Sequence, residues 1–301
     1  MSTCTTLSRA LTEPLGGTAA TGATWLLLEQ PGPWGAKALT QSHLDPELGR
    51  ALEARAKGTD VRIALIRRPG PHADRRPPTA RQIYLAHTRP GNSWVRGLTL
   101  ADPADLLDLD FAALGAGDHG RTGLAYRGDP LALVCTNGRR DRCCALLGRP
   151  LAAELQAAGH AQVWETTHLG GHRFSPTMLV LPYGYAYGRL SAQAAKEVLE
   201  ATYHGRMVTD WCRGRSIWER PGQAAELALR EVVREDAAEV LTVQQTELAA
   251  DRWSVRITHA DGRAWEVRVI RTLEGPPRSE SCLKIPTVPD RYSVELITRT
   301  R

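Results

Sequence analysis

Residues 131–144 read LALVCTNGRRDRCC and residues 162–172 read QVWETTHLGGH, and these two stretches decide the fold class. The run over 131–135 is apolar throughout, which is typical of a buried strand, and the Asn-Gly pair that follows predicts a turn. Asp141 is placed to cap a helix over about 142–158. A second strand over 162–166 completes a strand–helix–strand unit, which indicates an α/β domain.

The sequence on both sides extends this unit. Residues 177–181 and 185–188 predict a hairpin, and residues 192–202 and 223–234 predict amphipathic helices. Upstream, the pattern predicts a helix over 46–56 and three strands, over 24–29, 61–66 and 82–87. Residues up to about 22 are expected to be irregular, and Arg213-Gly214-Arg215 is expected to be a loop.

Three units follow from this pattern. We predict an α/β N-terminal domain over 20–124, a thioredoxin-like domain with a mixed sheet over 125–235, and a small antiparallel β domain over 236–301. In the last unit, four segments alternate apolar and polar residues, and Asp261-Gly262 predicts a hairpin turn. The first two units are both strand-rich, which suggests a degenerate pair of similar folds.

Composition and charge narrow the classes of function. Lys and Arg number 38 against 33 Asp and Glu, a net charge of +5, and the basic residues are spread along the chain, which does not favour nucleic-acid binding. No apolar stretch is long enough to cross a bilayer, and the first ten residues lack the apolar run of a secretory signal. We therefore expect a cytoplasmic protein with no membrane partner.

The six cysteines are then expected to be free thiols, metal ligands or redox groups. Cys135 ends a predicted strand, and Cys143 and Cys144 begin the next helix. His168 and His172 flank a Gly-Gly pair after the following strand. All these places fall at one edge of the sheet, where α/β folds carry their sites. The glycines let the backbone pass close to a bulky centre, and the helix N-terminus favours thiolate.

The residues alone leave the nature of this site open. Two cysteines and two histidines suit a closed tetrahedral zinc site in a binding module, and the spacing slightly favours zinc. They also suit a [2Fe–2S] cluster in which two histidines replace two cysteines. A third interpretation is a thiol-disulfide oxidoreductase that uses Cys143 and Cys144. Cys4, Cys212 and Cys282 have no partner at a convincing spacing.

The two quoted stretches resemble the sucrase/ferredoxin-like family, which belongs with the thioredoxin-like ferredoxins. That family has a cysteine, eight residues, a second cysteine, and then a histidine–Gly-Gly–histidine motif. Eight residues separate Cys135 from Cys144, and residues 168–172 match the histidine motif. Residues 25–35, WLLLEQPGPWG, also resemble the bacterial members, and the resemblance covers about residues 20–235.

The resemblance implies a ferredoxin domain over 125–235 and a [2Fe–2S] cluster held by Cys135, Cys144, His168 and His172, with Cys143 as the alternative to Cys144. The cysteines would bind one iron and the histidines the other, or the arrangement would be mixed. An iron–sulfur electron-transfer protein is favoured over a stand-alone enzyme. Glycoside hydrolysis has no support, because no carboxylate pair stands out beside the site.

Two further expectations follow from such a site. Neutral imidazoles in place of thiolates raise the reduction potential, and a proton on the far ring nitrogen would couple that potential to pH. Arg139, Arg140 and Arg142 surround the ligand loop and are expected to be solvated or to dock an acidic redox partner protein. The other candidate partner is a second copy of the chain, in a homodimer.

Overall fold

A computed structural model describes residues 3–70, 79–282 and 284–300, which form a ten-stranded and a four-stranded sheet with six α-helices. The sequence predicts α/β units with a mixed sheet, followed by a small antiparallel sheet, which together make an α+β chain, and this fold class is confirmed. The helices are α1 Cys4–Ala10, α2 Pro46–Ala56, α3 Phe111–Ala116, α4 Arg142–Ala157, α5 Ala192–Tyr203 and α6 Arg220–Val233. The strands of the large sheet are β1 Thr24–Glu29, β2 Val61–Arg67, β3 Arg81–His87, β4 Trp94–Leu100, β5 Leu124–Ala125, β6 Leu131–Cys135, β7 Val163–Thr166, β8 Thr177–Leu181, β9 Tyr185–Gly188 and β10 Cys212–Arg215.

The large sheet consists of two halves with the same topology, in the strand order β10-β9-β8-β6-β7-β2-β1-β3-β4-β5. In the first half β1 and β2 are parallel and joined by α2, β3 lies antiparallel beside β1, and β4 lies beside β3. In the second half β6, α4, β7, β8 and β9 repeat this arrangement. The topology agrees with the suggestion that the two units are similar folds.

A buried ion pair lies where the two halves meet. The central strands β2 and β7 pair antiparallel through Ile66 with Thr166 and Arg67 with Glu165. The Arg67 guanidinium donates to the Glu165 carboxylate at 2.8 Å, and both side chains are buried. The Thr136 hydroxyl donates to the same carboxylate. Both predicted units therefore contribute to one sheet, and the domain boundary near residue 125 stays a prediction.

One glycine in each connecting helix allows close packing on a backbone carbonyl at or beyond the end of the first strand of its half. Gly49 in α2 and Gly148 in α4 both lie in a Leu-Gly-Arg triplet. A Cβ atom at Gly148 would lie 2.1 Å from the Cys135 carbonyl oxygen, and one at Gly49 would lie 2.0 Å from the Leu39 carbonyl oxygen. Glycine at 148 thus brings α4 against the end of β6.

Two regions differ from the sequence prediction. The N-terminal residues expected to be irregular include α1, which is capped by Thr3 and buries Cys4, Thr5 and Ser8. Its burial against the rest of the protein stabilises a helix too short to form alone. The Arg213-Gly214-Arg215 segment lies in β10 instead of a loop, and its arginines are buried because they donate to carbonyl and hydroxyl oxygens.

The small sheet is an antiparallel meander of β11 Leu241–Ala249, β12 Arg252–His259, β13 Ala264–Leu273 and β14 Asp290–Thr300. Its inner face packs against α6, with Ala225 and Leu229 in one core with Val255, Ile257 and Val267. Alternating burial along β12 and β13 fits the alternation seen in the sequence. None of the helices within residues 3–70, 79–282 and 284–300 is long and apolar enough to span a membrane.

Candidate metal centre

The carboxyl ends of β6 and β7 position the site. These strands are parallel, with Cys135 opposite Thr166 at their last residues, so the residues that follow them emerge at the same edge of the sheet. The side chain of Asp141 caps α4 by accepting a hydrogen bond from the Cys143 amide at 2.9 Å. Cys144 therefore lies in the first turn of α4, beside the end of β6.

The structure brings together the four side chains singled out from the sequence. The Cys144 Sγ atom lies 3.4 Å from Nδ1 of His172, and the side chains of Cys144 and His168 both lie close enough to the Cys135 thiol to lower its pKa. The two imidazole rings stack with their centroids 4.0 Å apart and their planes at 14°. The four side chains thus lie beside one another, and their assignment as ligands stays a prediction.

The neighbouring cysteines of α4 point to different clusters. Cys143 Sγ lies 3.5 Å from Cys4 Sγ and 3.5 Å from Cys282 Sγ, whereas Cys144 faces His172. Of Cys143 and Cys144, only Cys144 has a thiol that lies against a histidine.

The surroundings favour a thiolate at Cys135 and a neutral imidazole at His172, the forms that metal binding needs, whereas the hydrogen bond with Cys135 and burial raise the pKa of the Cys144 thiol. The hydrogen bond from Cys144 lowers the pKa of the Cys135 thiol well below its usual range, although burial alone would raise it. The hydrogen bond and charge of His168 lower this pKa further, and so does the amide of Leu169. Burial, followed by the charge of His168, lowers the pKa of His172 to about 3. His172 is therefore neutral near pH 7.

A buried arginine braces the loop between the two histidines. Gly170 and Gly171 have left-handed backbone angles, with φ of +79° and +69°, which only glycine adopts without strain. The Arg213 guanidinium donates to the Gly170 carbonyl at 3.0 Å and to the Thr18 hydroxyl at 3.1 Å. A Cβ atom at Gly171 would lie 2.2 Å from Arg213 Nη2. The glycine pair therefore makes room for a guanidinium as well as for two imidazoles.

Arg213 was not recognised from the sequence as part of the site. It lies 43 positions beyond Gly170, and no local spacing links the two. Burial, followed by the charge of Arg173, lowers the pKa of Arg213 to about 9. The side chain nevertheless remains charged at neutral pH, so it places a positive charge near the Cys135 side chain.

The histidine side of the site borders a cavity of about 340 Å³. Both imidazoles and the glycine pair line this cavity, whereas the Cys135 and Cys144 thiols are buried. The charged side chains along its wall include four cations and two anions, namely Arg140, Arg173, Arg220, Lys284, Glu280 and Asp290. The open side of the site is thus lined by histidine and is positive overall.

Comparison with protein families matches residues 15–214, about two thirds of the chain, to the family described as sucrase/ferredoxin-like. The chain belongs to the sucrase/ferredoxin-like family. The segment matched to this family includes Cys135, Cys144, His168 and His172, and it ends before the four-stranded sheet. No curated protein and no solved structure matches the chain.

The sequence also gave no sign that Cys4 and Cys282 have partners. Their Sγ atoms lie 3.6 Å apart, and both contact Cys143. Because 278 positions separate these two cysteines, no motif could have paired them. Both lie outside the segment matched to the sucrase/ferredoxin-like family.

Proposed function

We propose that this protein transfers electrons through a [2Fe–2S] cluster held by Cys135, Cys144, His168 and His172. The observation that carries the proposal is the convergence of two thiols and two imidazoles at the edge of the sheet. Membership of a family described as ferredoxin-like gives independent support.

The donor atoms fit such a cluster chemically. Sulfur and imidazole nitrogen are the donors in [2Fe–2S] centres with two histidines, and such a centre supplies a one-electron couple. The Cys135 thiolate is favoured by its hydrogen-bond donors, and His172 is neutral. An amide hydrogen bond such as that of Leu169 to Cys135 stabilises negative charge on sulfur, which raises a reduction potential.

Proton exchange is proposed at the histidine side. The imidazoles of His168 and His172 line the cavity, so a ring nitrogen not used for binding can exchange a proton with solvent there. Bound imidazole that gains or loses this proton makes the reduction potential fall as the pH rises. We expect this slope between about pH 6 and 10, and a potential that stays flat over that range contradicts proton coupling.

The cavity side is also the proposed docking surface for an acidic redox partner protein. Arg139 and Arg140 are exposed on the turn between β6 and α4, and Arg140 lines the cavity. Positive charge around a redox site speeds the approach of an acidic partner at low ionic strength.

The two other interpretations of the cysteines differ in what they require. A thiol-disulfide oxidoreductase needs an accessible dithiol, but the Cys143 and Cys144 thiols are buried and face different clusters, so the geometry gives this function no support. A zinc-stabilised binding module would use the same Cys2His2 donors. The metal content decides between zinc and iron.

The test is purification without oxygen followed by a visible spectrum and analysis of iron, zinc and acid-labile sulfide. We expect a coloured protein with about two irons and two sulfides per chain. Replacement of His168 and His172 by alanine should abolish the colour. A colourless protein with zinc at the Cys2His2 donors contradicts the proposal.

A further inference from the structure

We propose that Cys4, Cys143 and Cys282, together with the Asp141 carboxylate, form a second metal site that takes a thiophilic divalent cation, with zinc as the expected ion. This site goes beyond the proposed electron transfer and does not depend on it. Its three thiols come from three distant parts of the chain: the first residue of α1, the first turn of α4, and the segment between β13 and β14.

The sulfur atoms form a nearly equilateral triangle. Cys143 Sγ lies 3.5 Å from both Cys4 Sγ and Cys282 Sγ, and the third edge is 3.6 Å. Zinc binds thiolate sulfur at about 2.3 Å in a tetrahedral site, which places its sulfur ligands about 3.8 Å apart. An ion at that distance from all three sulfurs would lie about 1 Å out of their plane, as one face of a tetrahedron requires.

Asp141 supplies the fourth position. Its carboxylate oxygens lie 3.8 and 3.9 Å from Cys4 Sγ, and one oxygen from it falls within 4.8 Å of all three sulfurs. The carboxylate is held by the Cys143 amide, the Cys282 amide at 2.8 Å and the Ser281 hydroxyl at 2.9 Å. Such hydrogen bonds orient a ligating carboxylate. Three sulfurs and one oxygen complete a closed site of the structural type.

A disulfide explains the cluster less well. A disulfide joins two sulfurs at about 2.05 Å, so it would leave the third thiol without a partner. All three thiols are instead at nearly equal distances, and Cys4 and Cys143 are buried. A single cation satisfies the three together.

The second site would support the first. A bound cation would link α1 and the β13–β14 connection to Cys143 in the first turn of α4. The residue that follows Cys143 is Cys144, a proposed ligand of the first site. The same helix α1 contacts the histidine loop, because the Thr5 hydroxyl donates to the His172 carbonyl at 3.2 Å. Metal binding at the three cysteines would therefore hold both a cysteine and a histidine of the proposed iron–sulfur site in place.

The test measures zinc per chain in the purified protein after addition of zinc and removal of loosely bound ions by gel filtration. Cys282→Ser is the main variant, because Cys282 is only partly buried and its loss should not prevent folding. Cys4→Ser is the second variant. Cys212→Ser is the matched control, since Cys212 is a buried cysteine on β10 that belongs to neither group. Circular dichroism checks that each variant folds.

We expect the wild type and Cys212→Ser to hold one zinc per chain more than Cys282→Ser or Cys4→Ser. Cobalt should give a thiolate-to-cobalt absorption band that is lost in Cys282→Ser. Absence of zinc from the wild type, a zinc content in folded Cys282→Ser equal to that of the wild type, or a disulfide between two of the three cysteines would overturn the proposal. The iron–sulfur spectrum of Cys282→Ser is a separate readout, so failure of either site is recognised independently.

Discussion

Replacement of Gly171 by alanine should destabilise the protein far more than replacement of the adjacent Gly170. Both glycines have left-handed backbone angles, which cost a non-glycine residue about 1–2 kcal/mol. Only at Gly171 would the new Cβ atom collide with the Arg213 guanidinium, at 2.2 Å from Nη2. At Gly170 the nearest atom is Ala20 Cβ at 3.3 Å, a contact that a small shift relieves.

The collision adds the loss of the hydrogen bonds that Arg213 makes. The guanidinium would give up its bonds to the Gly170 carbonyl and the Thr18 hydroxyl, each contributing about 1.5 kcal/mol as a bond from a charged donor. The free energy of unfolding should therefore fall by about 4–5 kcal/mol in Gly171→Ala and by about 1–2 kcal/mol in Gly170→Ala.

Urea unfolding followed by circular dichroism measures this difference, and the absorbance of the iron–sulfur centre per chain measures its effect on the site. Gly171→Ala should also lose more of that absorbance than Gly170→Ala. If the two variants unfold within about 0.5 kcal/mol of each other, Arg213 does not brace the histidine loop.

Three other predictions follow from individual contacts. Cys144→Ala should lose the iron–sulfur absorption whereas Cys143→Ala should keep it, because only the Cys144 thiol faces His172; the reverse pattern in visible spectra would make Cys143 the ligand. Alanine at both Arg139 and Arg140 should slow reduction by an acidic donor protein several-fold at low ionic strength without changing the spectrum; stopped-flow rates equal to those of an Arg50/Arg55 double variant on α2 would exclude docking there. Burial and then the charges of Arg89 and Arg215 lower the pKa of His87 to about 4, so His87 is neutral in the folded protein above that pH. The free energy of unfolding should therefore be highest above pH 6.5 and fall by roughly 2 kcal/mol as the pH falls to 4, because the unfolded chain binds the proton more readily. A His87→Leu variant that shows the same fall in urea unfolding would exclude this histidine as the cause.

The elements near the proposed iron–sulfur site were predictable because their signals are local. A buried strand, an aspartate cap and a second strand place Cys135 and Cys144 within a single strand–helix–strand unit, and the structure has β6, α4 and β7 there. The Gly-Gly pair between the histidines indicated a loop that must pass close to other groups, which the structure shows for Gly171.

What the sequence did not reveal depends on contacts between distant residues. Helix α1 has seven residues and no apolar stripe, so its formation depends on burial of Cys4 and Thr5 against residues more than 130 positions away. The arginines of β10 look solvated in a sequence, yet they are buried because carbonyl oxygens of other segments accept from them. The meeting of Cys4 with Cys282 has the same origin.

Pulsed electron paramagnetic resonance on the reduced protein, grown with ¹⁵N-labelled histidine, tests the central proposal most directly. Coupling of the unpaired electron to the labelled nitrogen shows whether histidine binds the reduced centre. The proposed function predicts a [2Fe–2S] signal with coupling to two histidine nitrogens, and loss of the whole signal when His168 and His172 are both replaced by alanine. A [2Fe–2S] signal without histidine coupling, or a reduced protein that gives no iron–sulfur signal, would contradict it.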